Sequence, residues 1–185
     1  MLHSLDESFP GNLEDRRVPD QSKKAPPVPS LPATVAMVCP LRRGIGIEDL
    51  VEAARLLRIR AAAERRRPPR ILVAGATIPQ DSSSLPERQL CDWHDDGMIQ
   101  WRDFSDDPAV LFDAADVIVL PNLTAAEMTP YSRLREKRLI AFAGTDFRHE
   151  RGLGGMHRTV PAGDPARLAD AIGELIRTDA DTAPG

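Results

Sequence analysis

Two glutamates and a pair of arginines are the residues whose types and positions suggest chemistry. Glu127 follows an apolar run, residues 116–121, and Glu136 comes shortly afterwards in a basic segment. In open parallel sheets, ligands bind outside the carboxyl ends of the strands. If the apolar run is such a strand, Glu127 arrives at the edge where a ligand would lie.

The second feature is a short basic loop, CPLRRGIGIED, at residues 39–49. Its Arg42 and Arg43 are followed by Gly44 and Gly46. Glycine adopts backbone conformations that let a loop turn sharply, and a guanidinium group binds phosphate oxygens in a bidentate manner. The two arginines are therefore candidate phosphate ligands, or else solvated loop residues beside the acidic start of a helix.

The elements that must position these residues alternate along the chain. Runs of Val, Ile, Leu and Ala predict strands, and amphipathic stretches between them predict helices. The predicted strands are 34–39, 70–75, 98–104, 116–121 and 139–144, with a short strand or edge at 158–163. The predicted helices are 47–67, 86–94, 107–115, 130–137 and 164–176, the last capped by Asp164. Unbroken apolar strands separated by helices predict an α/β fold with a doubly wound, Rossmann-like, mainly parallel sheet.

The domain organisation follows from composition. Residues 1–32 are polar and rich in proline, which predicts an irregular lead-in. Residues 33–178 form the predicted Rossmann-like domain, and 179–185 a flexible tail. A chain of 185 residues suits one domain of this kind.

Charge and cysteine content exclude some classes of function. The formal net charge is −4, so we expect no nucleic-acid partner. Cys39 and Cys91 lie far apart, without other ligands at metal-binding spacing, which predicts reduced thiols in a cytoplasmic protein and no metal site. No apolar run is long enough to cross a bilayer, so we expect no integral membrane segment and only peripheral contact with membranes, if any.

Taken in order, several segments resemble the donor-binding, carboxyl-terminal half of GT-B retaining glycosyltransferases of family 4. These are GIEDLVEAARLL, ILVAG, DDPAVLFDAADVIVLPNLTAAE and VPAGDPARLADAIGELI, and the resemblance spans roughly residues 34 to 177. It implies one half of a two-domain enzyme that transfers a sugar from a nucleotide-sugar, without a cofactor or metal.

The resemblance also implies roles for individual residues. Glu127 matches the family glutamate that meets the sugar hydroxyls, and Glu136 is the nearest match to the one that holds the ribose. Thr129 lies near the helix start whose backbone amides meet the diphosphate. Arg42, Arg43 and Gly44 occupy the loop that neutralises the diphosphate in the relatives. Ordinary surface roles remain open for both glutamates.

The sequence departs from the family pattern at several of these positions. The family glutamates are separated by seven residues, which places Arg135 at the strict position of the second and shifts Glu136 by one. One residue rotates a helical side chain by about 100°. Met128 replaces a usual glycine, and Pro40 and Ile45 stand where the relatives carry an arginine and a lysine.

Two functions therefore remain open. The first is a glycosyltransferase, either a short divergent enzyme or the donor half of a split one whose acceptor half is a separate polypeptide. The second is a degenerate half-domain that keeps the fold for binding or assembly without catalysis. Either version is expected to expose a cleft face that a partner polypeptide or a second copy of the chain would cover.

Overall fold

The computed structural model describes residues 31–78, 80–102, 108–124, 134, 137–145 and 157–180. The chain divides into two compact units, Met1–Ser30 and Leu31–Gly185, and all of the described residues belong to the second.

Within the described residues the second unit is built on a six-stranded parallel sheet. The strands are β1 (Thr34–Val38), β2 (Arg70–Ala74), β3 (Gln100–Arg102), β4 (Val117–Leu120), β5 (Arg138–Phe142) and β6 (His157–Val160). Their order across the sheet is β3-β2-β1-β4-β5-β6, and every pairing is parallel. This is the strand order of Rossmann-like doubly wound folds. The predicted α/β fold is confirmed.

The central strands are covered on both faces. All five residues of β1 and all four of β4 are buried, although successive side chains of a strand point to opposite faces. This is the burial that an apolar run without alternation predicts. Strand β4 lies between β1 and β5 and is parallel to both, as predicted for residues 116–121.

Four described helices accompany the sheet: α1 (Ile47–Ala63), α2 (Glu87–Asp95), α3 (Pro108–Asp113) and α4 (Pro165–Ala180). Helix α1 buries Leu50, Ala53, Ala54 and Leu57, the spacing of one helical face. It packs along α4, to which Arg60 is joined by an ion pair with Asp170 at 2.7 Å.

The predicted end of the first helix, at residue 67, is wrong. Helix α1 ends at Ala63 because Arg65 adopts a left-handed backbone with φ of 54° and Pro68 follows shortly afterwards. The third strand begins at Gln100, two residues later than predicted, and residues 103 and 104 of the prediction lie outside the described residues. The predicted cap of the last helix is confirmed, since Asp164 Oδ1 accepts a hydrogen bond of 2.9 Å from the Arg167 amide.

Candidate functional site

The place where the strand order reverses lies between β1 and β4. From β1 the chain moves outward through β2 to β3, and then returns to β4 on the other side of β1. In open α/β sheets, ligands bind at such a point, outside the carboxyl ends of the strands. The loops that border it are residues 39–46, after β1, and residues 121–124, after β4.

Two contacts hold the loop after β1 at the carboxyl edge, one to the loop after β4 and one to the end of β5. The Asn122 amide donates a hydrogen bond of 2.9 Å to the Ile45 carbonyl. Gly46, the residue before α1, has φ of 103° and lies so close to the Phe142 ring that an added Cβ would overlap it. The start of α1 is thereby fixed against the carboxyl ends of β4 and β5.

A third contact reaches the loop after β6. Asp49, in the first turn of α1, accepts a hydrogen bond of 2.8 Å from the Gly163 amide. The start of α1 is thus in contact with residues that follow or end three strands: β4, β5 and β6. Gly46 itself offers no side chain to cap the helix, so the first backbone amides of α1 have no side-chain cap.

The arginine loop, residues 39–46, is also hydrogen-bonded on the β2 side of β1. The Leu41 amide donates to the Ala76 carbonyl at 3.1 Å, and the Arg43 amide donates to the Ser83 carbonyl at 2.8 Å. Arg42 forms an isolated antiparallel bridge with Ser84. The backbone of the loop is therefore bound to the segment that follows β2.

The predicted phosphate ligands differ in exposure. Arg42 is half-buried, whereas Arg43 and Gly44 are exposed. One Arg43 guanidinium nitrogen lies 3.5 Å from the Gln89 side-chain oxygen, near the start of α2. Gly44 has φ of 78°, a conformation that favours glycine. The proposed contacts of these three residues with a diphosphate remain predictions.

Glu127, Thr129 and Glu136 lie outside the described residues. The described chain runs from β4 through Leu123 and Thr124, and resumes at Leu134 and Lys137. The roles assigned to the two glutamates and to Thr129 therefore stay predictions.

Cys39, which directly follows β1, is a packing residue. It is 1% exposed, and this burial raises the pKa of its thiol far above the ordinary range, with the positive charge of Arg42 acting weakly in the opposite direction. The thiol therefore stays protonated, because desolvation disfavours the charged form. A protonated, buried thiol is a poor nucleophile.

Asp81 is a charged residue near the arginine loop that the sequence prediction missed. Its Oδ1 accepts hydrogen bonds from the Ser83 amide at 2.8 Å and from the Ser83 hydroxyl at 2.7 Å. These two bonds lower the pKa of the Asp81 carboxyl, and the nearby Arg42 contributes in the same direction. The signal in the sequence was the Asp-Ser-Ser-Ser run, in which an aspartate bonds the backbone two residues later.

A shallow groove of about 250 Å³ lies elsewhere, between the carboxyl-terminal ends of α1 and α4. It contains four arginines and three carboxylates, among them Arg67, Arg177 and Glu174. Because Pro69 lines it just before β2 begins, the groove lies at the amino edge of the sheet, away from the loops after β1 and β4.

The described residues contain no cluster of three or more histidine, cysteine or carboxylate side chains placed to hold a metal ion. Among the described helices, none combines the length and the apolar character needed to span a bilayer.

Comparison with known proteins gives a fold but no sequence family. No protein-family profile matches the chain. No curated protein matches it either.

Solved structures do match. Sucrose-phosphate synthase (tll1590) from Thermosynechococcus elongatus is similar with a TM-score of 0.58 and 22% identity, over 83% of this chain and 38% of that one. TarM gives a TM-score of 0.57 and 14% identity, over 84% and 30% of the two chains. Anabaena Alr3699/HepE in complex with UDP-glucose gives a TM-score of 0.57 and 17% identity, over 82% of this chain and 41% of that one.

The chain thus spans less than half the length of each of these three proteins. At these identities the likeness establishes the fold alone. The described unit has the Rossmann-like α/β fold of a domain found in glycosyltransferases.

Proposed function

We propose that this chain is the donor-binding part of a retaining glycosyltransferase and binds a nucleotide-sugar at the carboxyl edge of its sheet. The observation that carries the proposal is the structural match of 83% of this chain to sucrose-phosphate synthase, and of 82% to a protein in complex with UDP-glucose, combined with a basic loop at the strand-order reversal. Ligands of such folds bind at that reversal.

In this proposal the diphosphate meets the arginine loop. Arg42 and Arg43 neutralise the charge that develops on the leaving diphosphate, and Gly44 leaves room for its oxygens. Thr129, at a predicted helix start, would offer its amide to the same group. Glu127 would bind the sugar hydroxyls, and Glu136 the ribose.

Two carboxylates at the carboxyl edge accept hydrogen bonds from backbone amides, Asp49 from Gly163 and Asp81 from Ser83. Both keep their negative charge, so in this proposal the two arginines must offset it for a diphosphate to bind. The arginine loop itself sits directly beside the reversal point, where the Asn122 amide meets the Ile45 carbonyl.

The acceptor would bind to a second half that this stretch of chain does not contain. Each of the three similar structures is more than twice as long as the part that this chain covers. We therefore propose that an acceptor-binding half, on a separate polypeptide or elsewhere in a longer protein, closes over the carboxyl edge.

Calorimetry with UDP and UDP-glucose tests the proposal. Replacing Arg42 or Arg43 by Gln should remove a charge-assisted hydrogen bond of about 1.5–3 kcal/mol, and so weaken UDP binding roughly tenfold or more. Arg67→Gln is the matched control, because Arg67 is an exposed arginine at the amino edge. GDP and ADP, assayed in parallel, identify the base.

Glu127→Gln separates the sugar from the nucleotide. The variant should bind UDP like the parent protein but should bind UDP-glucose more weakly, because its proposed partner is the sugar. If neither nucleotide binds at millimolar concentration, with or without a candidate acceptor half, the transferase proposal fails.

A degenerate module that assembles without catalysis is the second candidate. The observation that favours it is the engagement of the arginine loop by its own neighbours: Arg42 pairs with Ser84 through the backbone, and the Arg43 side chain lies beside Gln89. This candidate is favoured if neither the parent protein nor any of the variants binds a nucleotide.

A further inference from the structure

The groove between the carboxyl-terminal ends of α1 and α4 combines apolar and charged surface. Its apolar lining is partly or fully covered: Leu57 and Ala61 are buried, and Pro69 and Ile176 are half-buried. The arginines and carboxylates that line it are all exposed. Apolar side chains therefore form the floor of this groove, which we call the amino-edge groove, and charged side chains form its rim.

The rim carries more positive than negative charge. Its three carboxylates all pair with arginines: Asp170 with Arg60 at 2.7 Å, Glu64 with Arg66 at 3.4 Å, and Glu174 with Arg158, which does not line the groove, at 3.5 Å. Arg67 and Arg177 remain, and neither forms an ion pair with a carboxylate of the described residues. Two guanidinium groups on the rim are therefore available to an anionic partner.

Gly173 keeps one wall of the groove open. It lies inside α4, where glycine costs helix stability relative to alanine. A Cβ at this position would come within 3.5 Å of an Arg177 guanidinium nitrogen, so the Arg177 side chain folds back over the glycine. A large side chain at position 173 would occupy the groove and displace Arg177.

The opposite wall also departs from local backbone preference. Arg65 has φ of 54°, a conformation that favours glycine, in the turn that ends α1. The Arg66 amide donates to the Ala61 carbonyl at 2.8 Å across this turn, which brings Arg66 and Arg67 to the rim. Because proteins break local rules mainly where a site requires it, the strained Arg65 and the helical glycine both point to a use for this surface.

The shape and charge of the groove select the kind of partner. Sites for small molecules are clefts of about 300–1,000 Å³ that enclose most of the ligand, whereas this groove is shallow and has a volume of about 250 Å³. A flat bilayer surface would meet the rim but not the concave floor. The rim carboxylates oppose a polyanion such as nucleic acid. An extended peptide can place an apolar side chain on the floor and neighbouring carboxylates on the rim.

We propose that the amino-edge groove docks an acidic segment of a partner polypeptide. Carboxylates of that segment bind Arg67 and Arg177, and an apolar side chain between them contacts the floor at Leu57 and Ile176. The surface lies at the edge of the sheet opposite to the proposed donor site, and its use does not depend on that site.

Fluorescence anisotropy with labelled, capped hexapeptides at low ionic strength tests the proposal. The probe contains two leucines, each flanked by glutamates. One matched peptide replaces the glutamates by glutamines and the other replaces the leucines by serines. The parent protein should bind the probe more tightly than either matched peptide, and added salt should weaken this binding.

Arg67→Gln and Arg177→Gln should each weaken binding of the probe about two- to fivefold. The effect of each arginine is modest because both side chains are exposed, and because the carboxyl-terminal ends of the two helices carry partial negative charge. Arg55→Gln is the matched control. Arg55 is an exposed residue of α1 that pairs with Glu52 away from the groove, so its variant should bind like the parent protein.

Gly173→Leu tests the location of the docking surface. Leucine favours a helix more than glycine does, so the variant should melt at no lower temperature than the parent protein. Its side chain fills the groove, and binding of the probe should therefore fall. Unaltered binding by a folded Gly173→Leu variant would overturn the groove as the docking surface.

The remaining outcomes decide the kind of partner. Equal binding of the glutamate and glutamine peptides, or arginine variants that bind like Arg55→Gln, would overturn the docking of an acidic segment. Binding to phosphatidylserine vesicles without binding to the probe would replace the polypeptide by a membrane. A dimer in light scattering that Arg67→Gln dissociates would replace it by a second copy of this chain. UDP binding is a separate measurement, so failure of the donor site leaves each of these outcomes decisive.

Discussion

Gly46→Ala is the substitution whose cost the structure defines most sharply. Gly46 precedes α1 with φ of 103°, and a Cβ at this position would overlap the Phe142 ring at the end of β5. Phe142 is 1% exposed, so its ring is enclosed by the core and has little room to move. The variant therefore meets both backbone strain and a steric clash.

These two costs have separate magnitudes. A left-handed backbone costs an alanine about 1–2 kcal/mol relative to glycine. Forcing an extra methyl group into a packed site costs about 1–3 kcal/mol more. The free energy of unfolding should therefore fall by roughly 2–5 kcal/mol, a large share of the roughly 5–15 kcal/mol typical of a domain.

Gly44→Ala is the matched control. Gly44 lies in the same loop with φ of 78°, but no described atom lies within 4 Å of where its Cβ would be. The free energy of unfolding of Gly44→Ala should fall only by the cost of the left-handed backbone, about 1–2 kcal/mol. Urea unfolding followed by tryptophan fluorescence measures both variants. If Gly46→Ala costs no more than Gly44→Ala, the contact that fixes the start of α1 against β5 is wrong.

Three further predictions follow from single groups. Under native conditions a thiol reagent should modify exposed Cys91 quickly and buried Cys39 only on unfolding. Rapid modification of both cysteines in the folded protein would contradict the burial of Cys39 at the end of β1. Asp164→Ala should lower the free energy of unfolding by about 0.5–2 kcal/mol in urea melts through loss of the α4 cap, whereas an unchanged melt would argue against the cap. Ser83→Ala should raise the pKa of the Asp81 carboxyl in an NMR titration. Because the folded-state pKa of Asp81 is depressed, its contribution to stability is present above the unfolded pKa and is lost as pH falls through the folded one. Ser83→Ala keeps the backbone amide bond, so an unaltered titration would contradict the hydrogen bond from the Ser83 hydroxyl.

The parallel sheet was predictable because its strands are buried on both faces. Such strands consist of unbroken apolar residues, as in Val117–Leu120, and this pattern survives in a single sequence. Element ends were less predictable. The end of α1 depends on Arg65 adopting a left-handed backbone, which the amphipathic pattern of residues 47–67 does not reveal.

The candidate site was only partly predictable, for a different reason. Sequence identified the arginine loop through its residue types, but the partners of that loop come from a segment some forty residues later, through Ser83 and Ser84. Nothing in the local pattern of residues 39–46 indicates that pairing. Likewise, only the assembled sheet brings Phe142 against Gly46 and the Gly163 amide against Asp49.

Mapping of UDP by amide chemical shifts in two-dimensional NMR tests the central claim most directly. If a nucleotide-sugar donor binds at the reversal between β1 and β4, titration with UDP should shift the amides of Gly44, Gly46 and Asn122, which border that point. The amides of Arg67 and Arg177, at the amino edge, should stay unchanged. Shifts concentrated at the amino edge, or no shifts at millimolar UDP, would contradict a donor site at the carboxyl edge.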